Sequence, residues 1–344
     1  MFLRNAWYVV AWDHEISVDG LLARRVLDQP LLLYRTSDGR IAALEDRCCH
    51  RHAPLSAGRR EGDSIRCGYH GLRFDQHGQC VEIPGLAQIP AKARVRTYPV
   101  RVGYKWVFVW MGDPTRANPA LLPDNFSCEH PDWRNLPGYL HYEAPYDLIC
   151  DNLLDFSHLS FVHEKTLGAG AREIAQARPE VTRLPNGVRV RREVSGVQPP
   201  GYYLRMRSDL GAIERWFDYE FLLPGTLLMH SGGRPMGDAP DDLSRAVVLH
   251  SCQTLTPETA TTTHYFFQQS HPAQLGDETV TRAVFDSLVA AFEEDRRMIT
   301  AQYRNLANDD RSGMLPLAMD AALVQYRRIL EDAIAAEAGM ADGA

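Results

Sequence analysis

Two groups of residues in this 344-residue sequence have the types and spacing to bind metal. The first is Cys48-Cys49-His50 and, separated from His50 by sixteen residues beginning with Arg51, Cys67-Gly68-Tyr69-His70-Gly71, a C-x-H pair and a C-x-x-H pair. Each pair offers one thiolate and one imidazole on a short turn. Thiolates are soft donors for iron or zinc, and imidazole serves either. Two cysteines on one iron and two histidines on the other make a [2Fe–2S] cluster of raised reduction potential, because a neutral imidazole replaces a thiolate. A structural zinc site is the competing reading, but zinc fingers pair Cys with Cys and His with His, the histidines on a helix. His52 and His77 compete with His50 for the ligand role, and only Cys48-x-His50 mirrors the compact second loop.

The second group is Asn152-x-x-Asp155-x-x-His158-x4-His163, within an apolar stretch expected to be a helix over Tyr146–Val162. At about 100° per residue, Asp155 and His158 lie about 60° apart and share a face. His158 and His163 lie roughly 140° apart on a regular helix, so they reach one metal only if the helix ends or widens between them. Two histidines and a carboxylate with an open side form the donor set of non-haem Fe(II) oxygenases. The carboxylate must come from elsewhere. Val284, Leu288, Ala291, Phe292, Met298 and Ile299 form an apolar stripe at helical spacing, and Asp295 falls inside it. A lone acid on a buried face is costly unless paired or bound to metal, which selects Asp295 over Glu293 and Glu294.

The elements that hold these groups divide in two. Short apolar runs at Pro30–Arg35, Ile41–Glu45 and Trp106–Met111, with an Asp38-Gly39 turn, predict a small antiparallel β-domain over residues 1–114. The proline-rich stretch Pro114–Pro123 reads as a linker. Residues 115–344 read as an α+β domain. It has strands near Gly187–Val194, Tyr202–Ser208, Trp216–Leu223, Ala246–Gln253 and Thr261–Gln268, then helices at Asp277–Asn305 and Pro316–Ala336. A net charge of -7 argues against nucleic acid as the main partner, since phosphate binding needs a basic surface. No apolar run is long enough to span a bilayer and no secretory signal is seen. Seven cysteines, an odd number, suit a reducing compartment, and the expected location is cytoplasmic.

"CCHRHAPL" (48–55) and "CGYHGLRFD" (67–75) resemble the cluster loops of Rieske non-haem iron oxygenases, and "DNLLDFSHLSFVH" (151–163) resembles their iron motif. The N-terminal "MFLRNAWYVVAWDHEI" (1–16) is most similar to the group of vanillate O-demethylase, toluenesulfonate methyl-monooxygenase and dicamba demethylase. The resemblance implies a Rieske domain followed by a helix-grip-like catalytic domain. It implies Cys48, His50, Cys67 and His70 on one [2Fe–2S] cluster, and His158, His163 and Asp295 on one mononuclear Fe(II). Asp155 would bridge His70 of one subunit and His158 of the next in a homotrimer, and Asn152 would lie close to the iron. It further implies O2 as co-substrate and hydroxylation of a methyl or methoxy carbon on an aromatic acid. Electrons would come from NAD(P)H through a separate iron–sulfur or flavin reductase, since no G-x-G-x-x-G opens a helix after a strand. Cys49 stands where the family usually has proline and reads as a buried thiol. For the aromatic acid, Trp216, Phe217, Phe221 and Met229 are candidate walls, and His230, Arg234 and His250 candidate partners of its charge. A ring-hydroxylating dioxygenase and an electron-carrier module without oxygenase activity are the rival functions.

Overall fold

A computed structural model describes residues 1–167, 172–306 and 314–341. The chain divides into two compact units, Met1–Leu122 with Thr256–Ala260, and Pro123–Leu255 with Thr261–Ala344.

The first unit is built from three small antiparallel sheets. Strands β1 (Trp7–Trp12), β2 (Leu22–Val26), β3 (Gln29–Arg35) and β4 (Ile41–Glu45) are followed by the short β5 (Arg59–Glu61), β6 (Ser64–Arg66), β7 (Arg73–Phe74) and β8 (Cys80–Glu82), then β9 (Val100–Gly103) and β10 (Trp106–Trp110). They pair as β1-β10-β9, β2-β3-β4 and β5-β6-β7-β8. Asp38-Gly39 does turn the chain between β3 and β4, with Gly39 at φ 83. Leu32, Tyr34, Leu44, Leu55, Ile65 and Phe74 form a core that also takes in Cys48 and Cys67. The cluster loops therefore rest on packed strands.

The second unit is an antiparallel sheet with helices on one face. After β11 (Trp133–Arg134) and β12 (Gly138–Tyr142) come helices α1 (Tyr146–Leu154) and α2 (Arg172–Gln176), strands β13 (Glu180–Leu184) and β14 (Gly187–Val197), and helix α3 (Gly201–Met206). The long strands β15 (Ile213–Leu222), β16 (Thr226–Pro235), β17 (Val247–Pro257) and β18 (Thr263–Pro272) follow, and helices α4 (Glu278–Leu306) and α5 (Ala321–Ala341) complete it. The sheet order is β11-β18-β17-β16-β15-β14-β13, with β12 also on β18.

Strand register decides which side chains meet the helices. Phe217 pairs with Ser231 and Arg215 with Gly233, whereas Trp216 pairs with Gly232 and Asp218 with His230. Alternation sends the first set to one face and the second to the other. A Cβ at Gly232 would fall 2.4 Å from the Trp216 ring, so glycine is what lets that ring lie flat across the neighbouring strand.

Two expected elements differ. The Tyr202–Ser208 segment is not a strand but α3: Pro199-Pro200 stops the preceding strand and its fixed φ opens a helical turn. The helix expected over Tyr146–Val162 ends at Leu154. On α4 the buried set is Thr281, Val284, Leu288, Ala291, Phe292, Asp295 and Ile299. Met298, counted in the apolar stripe, is 55% exposed, because it sits about 60° from Asp295 on the far edge of that arc.

Candidate metal centres

In the first unit, Cys48 and Cys67 are buried while His50 and His70 stand at the surface, their ring centroids 4.5 Å apart. Two tight turns achieve this. The Cys48 N–H donates to Ala53 O at 2.9 Å and the Cys67 N–H to Leu72 O at 2.8 Å. Gly71, at φ 75 and with space for a Cβ closed by Pro84 at 3.0 Å, lets the second loop fold back on itself. Burial pushes the Cys48 thiol up to about 11, and the adjacent Cys67 adds to it. His70 is lowered, by desolvation and by the charges of His50 and Arg51. Cys49 is half-buried against the core rather than fully buried. Two thiols below and two imidazoles at the rim suit a cluster with cysteines on one iron and histidines on the other.

In the second unit, α1 buries Leu148, Ile149, Leu153 and Leu154, and Asp151 is fixed by Arg327 of α5. The helix stops because Asp155 adopts an extended conformation, φ -124 and ψ 100. Its carboxylate accepts from the Ser157 N–H at 2.9 Å and the Ser157 hydroxyl at 2.6 Å, and so caps a 3-10 turn over Phe156–Ser160. His158 sits on that turn and His163 just beyond it. The condition set by the spacing, that the helix end before both histidines can meet, is satisfied. Asp155 and His158 are thus not stacked on a helix face. The His158 Nδ1–H instead meets the main-chain carbonyl of Asp155 at 2.5 Å.

The ligand atoms of His158, His163 and Asp295 all lie within 4.8 Å of one another. Asp295 Oδ2 is 3.2 Å from His163 Nε2, and Oδ1 is 3.5 Å from His158 Nε2. Asn152 donates to Asp295 Oδ1 at 3.1 Å. Glu294, which the stripe argument set aside, accepts from His163 Nδ1 and from the Thr166 hydroxyl, each at 2.8 Å. Its signal was present: an acid next to a buried acid on α4 faces the flank of whatever that acid binds. Asp295 is 3% exposed, and a carboxylate so deeply placed needs a cation. Burial lowers His158, with Asp295 opposing it. Burial also pulls His163 down, but the hydrogen bonds and charges of Asp295 and Glu294 outweigh it and the net shift is upward. Two imidazoles and one carboxylate, each ring held through its other nitrogen, fit a mononuclear iron with open positions.

Residues 142–336 match the family described as vanillate O-demethylase oxygenase C-terminal domain, and residues 6–99 match the Rieske [2Fe-2S] domain. The toluene-4-sulfonate monooxygenase system iron-sulfur subunit of Comamonas testosteroni is 44% identical over 345 residues, covering 98% of this chain and 99% of that one. This chain is a Rieske non-haem iron oxygenase. The dicamba O-demethylase oxygenase component of Stenotrophomonas maltophilia is 34% identical, covering 96% and 97%. A crystal structure of dicamba monooxygenase bound to 3,6-dichlorosalicylic acid superposes with a TM-score of 0.91 at 32% identity, covering 98% of this oxygenase and 99% of that chain. No helix among the described residues is long and apolar enough to cross a membrane.

His158, His163 and Asp295 open on a cavity of about 50 Å³ lined by Phe156, Tyr202, Arg215, Phe217, Met229, Ser231, Gln253, Leu288 and Phe292. Larger hollows exist, one of about 750 Å³ in the first unit and one of about 400 Å³ on the outer face of the long sheet, but neither holds a metal donor set. Trp216, His230 and His250, the expected substrate contacts, do not line the cavity at His158, His163 and Asp295. Strand alternation puts them on the opposite face, where the His230 and His250 rings lie 5.0 Å apart and Phe126 and Trp133 flank His250 at 4.9 and 4.6 Å. Arg234 is spent on Glu193 and Glu214, and Phe221 packs on Tyr326. Phe217 and Met229 do line the cavity.

Two predictions follow the site's flanks. Glu294→Gln keeps the hydrogen bond count near His163 but removes the charge, and Fe(II) affinity should fall by about 10–100-fold in equilibrium dialysis. An unchanged affinity would leave Glu294 outside the site. On the outer face, burial first and His230 second lower His250 to about 4 from its ordinary 6.5. The folded chain then holds His250 neutral while the unfolded chain protonates it. Stability from this residue is complete above pH 6.5 and is lost as pH falls through 4. His250→Gln should therefore flatten the acid limb of a denaturation profile between those values; an unchanged slope refutes it.

Proposed function

We propose that His158, His163 and Asp295 hold the mononuclear iron, that Cys48, His50, Cys67 and His70 hold the cluster, and that the oxygenase acts on a methyl or methoxy carbon of an aromatic acid. The observation that carries the iron assignment is the convergence of three ligand atoms from two distant segments within 4.8 Å, one of them on a carboxylate that is 3% exposed. When bound, the cluster and the iron supply single electrons and O2 activation, the electrons coming from a separate reductase. The protein's own residues do the rest. Asp155 O and Glu294 fix the two imidazoles through Nδ1, so both Nε2 atoms point at one place. Asn152 restrains one oxygen of Asp295. Phe156, Phe217, Leu288 and Phe292 keep the reacting carbon in a dry, apolar slot.

The substrate class rests on the relatives, named for toluene-4-sulfonate, dicamba and vanillate. Methoxy hydroxylation yields a hemiacetal that collapses to a phenol and formaldehyde, and methyl hydroxylation stops at a benzylic alcohol. The assembly we infer is a homotrimer in which the Asp155 carboxylate also meets His70 of a neighbouring copy. The exposure of Tyr69 beside His70 (62%) and of Phe161 beside the iron turn (69%) supports a covering surface at both places. A cytoplasmic location belongs to the same reading, supported by seven cysteines of which none is in a disulfide.

The test supplies purified protein with a generic NADH-dependent reductase, O2 and a panel of methyl- and methoxy-substituted benzoates and benzenesulfonates. Formaldehyde or a benzylic alcohol supports the reading and tells the two reactions apart. A cis-diol would favour ring dihydroxylation, and peroxide without organic product from any compound would refute hydroxylation.

A further inference from the structure

Arg215 is the one guanidinium or ammonium group among the described residues lining the iron cavity. It projects from β15 on the helix-facing side of the sheet, two residues before Phe217 on the same face. It is 1% exposed, yet its Nε and Nη1 have no hydrogen-bond partner, and Nη2 reaches the Tyr202 hydroxyl at a long 3.4 Å. No carboxylate among the described residues pairs with it. The other arginines turned inward or onto this sheet are committed: Arg192 donates to Ile174 O at 2.8 Å, and Arg234 is held by two glutamates. What supports Arg215 is aromatic. Its guanidinium carbon lies 4.7 Å from the Phe217 ring centre and 5.6 Å from that of Tyr203.

A buried cation whose donors are left open is costly in a finished protein, and it is tolerated where an anion arrives to complete it. Phe217 also touches Phe156 at 5.7 Å, and Phe156 stands 6.4 Å from His158. Arg215 is thus separated from the iron donors by a layer of aromatic side chains, the kind of wall against which an arene ring packs. Apart from His158, His163 and Asp295, the remaining polar lining, Asn152, Tyr202, Ser231, Gln253 and Gln269, carries no charge to compete. We propose that Arg215 binds the anionic head group of the substrate, so that the site selects a small aromatic monoanion, a sulfonate or a carboxylate, with the methyl or methoxy group carried at the other end of the ring toward the iron donors. This deepens, and rests on, the hydroxylation reading above. A guanidinium suits either head group, since a carboxylate and a pyramidal sulfonate each offer two acceptor oxygens on one atom that its N–H fork can meet.

The test uses the iron-loaded, cluster-containing protein and three probes: 4-methylbenzenesulfonate, 4-methylbenzoate and the uncharged 4-methylbenzamide. Binding is measured anaerobically by calorimetry and turnover separately with reductase. For Arg215→Gln, the Kd and KM of both anions should rise by about 50-fold or more, kcat should change by only a few-fold, and the amide should bind as well as before. Arg215→Lys should recover part of the loss for the anions. Whichever anion the unmodified protein binds more tightly names the head group. Arg215→Met, with melting temperature followed for both variants, covers the case in which the glutamine variant does not fold. Equal loss for the amide and the anions, or unchanged anion binding, overturns the assignment. Arginine-dependent anion binding without hydroxylation of any probe would retain Arg215 as the anion site and sink the reaction instead.

Discussion

Asp295→Asn should lower the iron content from about three atoms per chain to about two, leave the cluster's visible absorption unchanged, and abolish turnover. The substitution conserves volume, so the packing of α4 on α1 and β18 is kept and only the charge and one acceptor are lost. In the native site Oδ2 and Oδ1 face the Nε2 atoms of His163 and His158 at 3.2 and 3.5 Å. The amide would turn a donor toward one imidazole or toward Asn152, and either choice removes a ligand oxygen. Changes in groups that merely hydrogen-bond to ligands cost about 10–100-fold in metal affinity, and a ligand carrying the charge costs at least that. Iron analysis beside the visible spectrum checks it. A variant that retains all its iron would show that Asp295 is a structural acid held by two histidines.

How much of this was readable without coordinates depended on whether the signal was local. The C-x-H and C-x-x-H pairs are rare residue types at matched spacing, and tight turns deliver them with no help from distant chain. Asp295 is legible for a related reason: an acid inside an apolar stripe has few uses. The end of α1 was hidden because Phe156, Leu159 and Val162 continue an apolar rhythm that a 3-10 turn serves equally well. The cue that overrides it is Asp155 two residues ahead of Ser157, an acid placed to cap a new turn. The substrate wall was the least legible part. Arg215 and Trp216 are neighbours in sequence, and only the pairing of β15 with β16 tells which one faces the helices. A shift of one residue exchanges the two faces entirely, so Trp216, His230 and His250 grouped correctly with one another but on the wrong side.

Asp155→Asn is expected to keep both metal sites full while cutting turnover by at least about 100-fold. The retention of iron follows from the geometry: His158 is held by the main-chain carbonyl of residue 155, which the substitution does not touch. The fold is kept because asparagine caps a helical turn as well as aspartate does: the bond from the Ser157 N–H to Oδ1 persists, and the Ser157 hydroxyl, which donates to Oδ2 in the native chain, can accept from the amide instead. What disappears is the negative charge, which stands 20% exposed with Arg192 3.8 Å from one oxygen. In the proposed trimer that carboxylate is the acceptor for the imidazole N–H of a neighbour's His70, the link through which the cluster's electrons reach the iron. An amide retains one acceptor but not the charge that stabilises the imidazole as its cluster changes redox state. The decisive measurement is a single turnover of protein reduced beforehand: the variant's cluster should reduce at the normal rate with reductase and then fail to reoxidise when O2 and substrate are added. Loss of iron from this variant would reassign Asp155 to holding the metal, and normal reoxidation would send the electrons by another route.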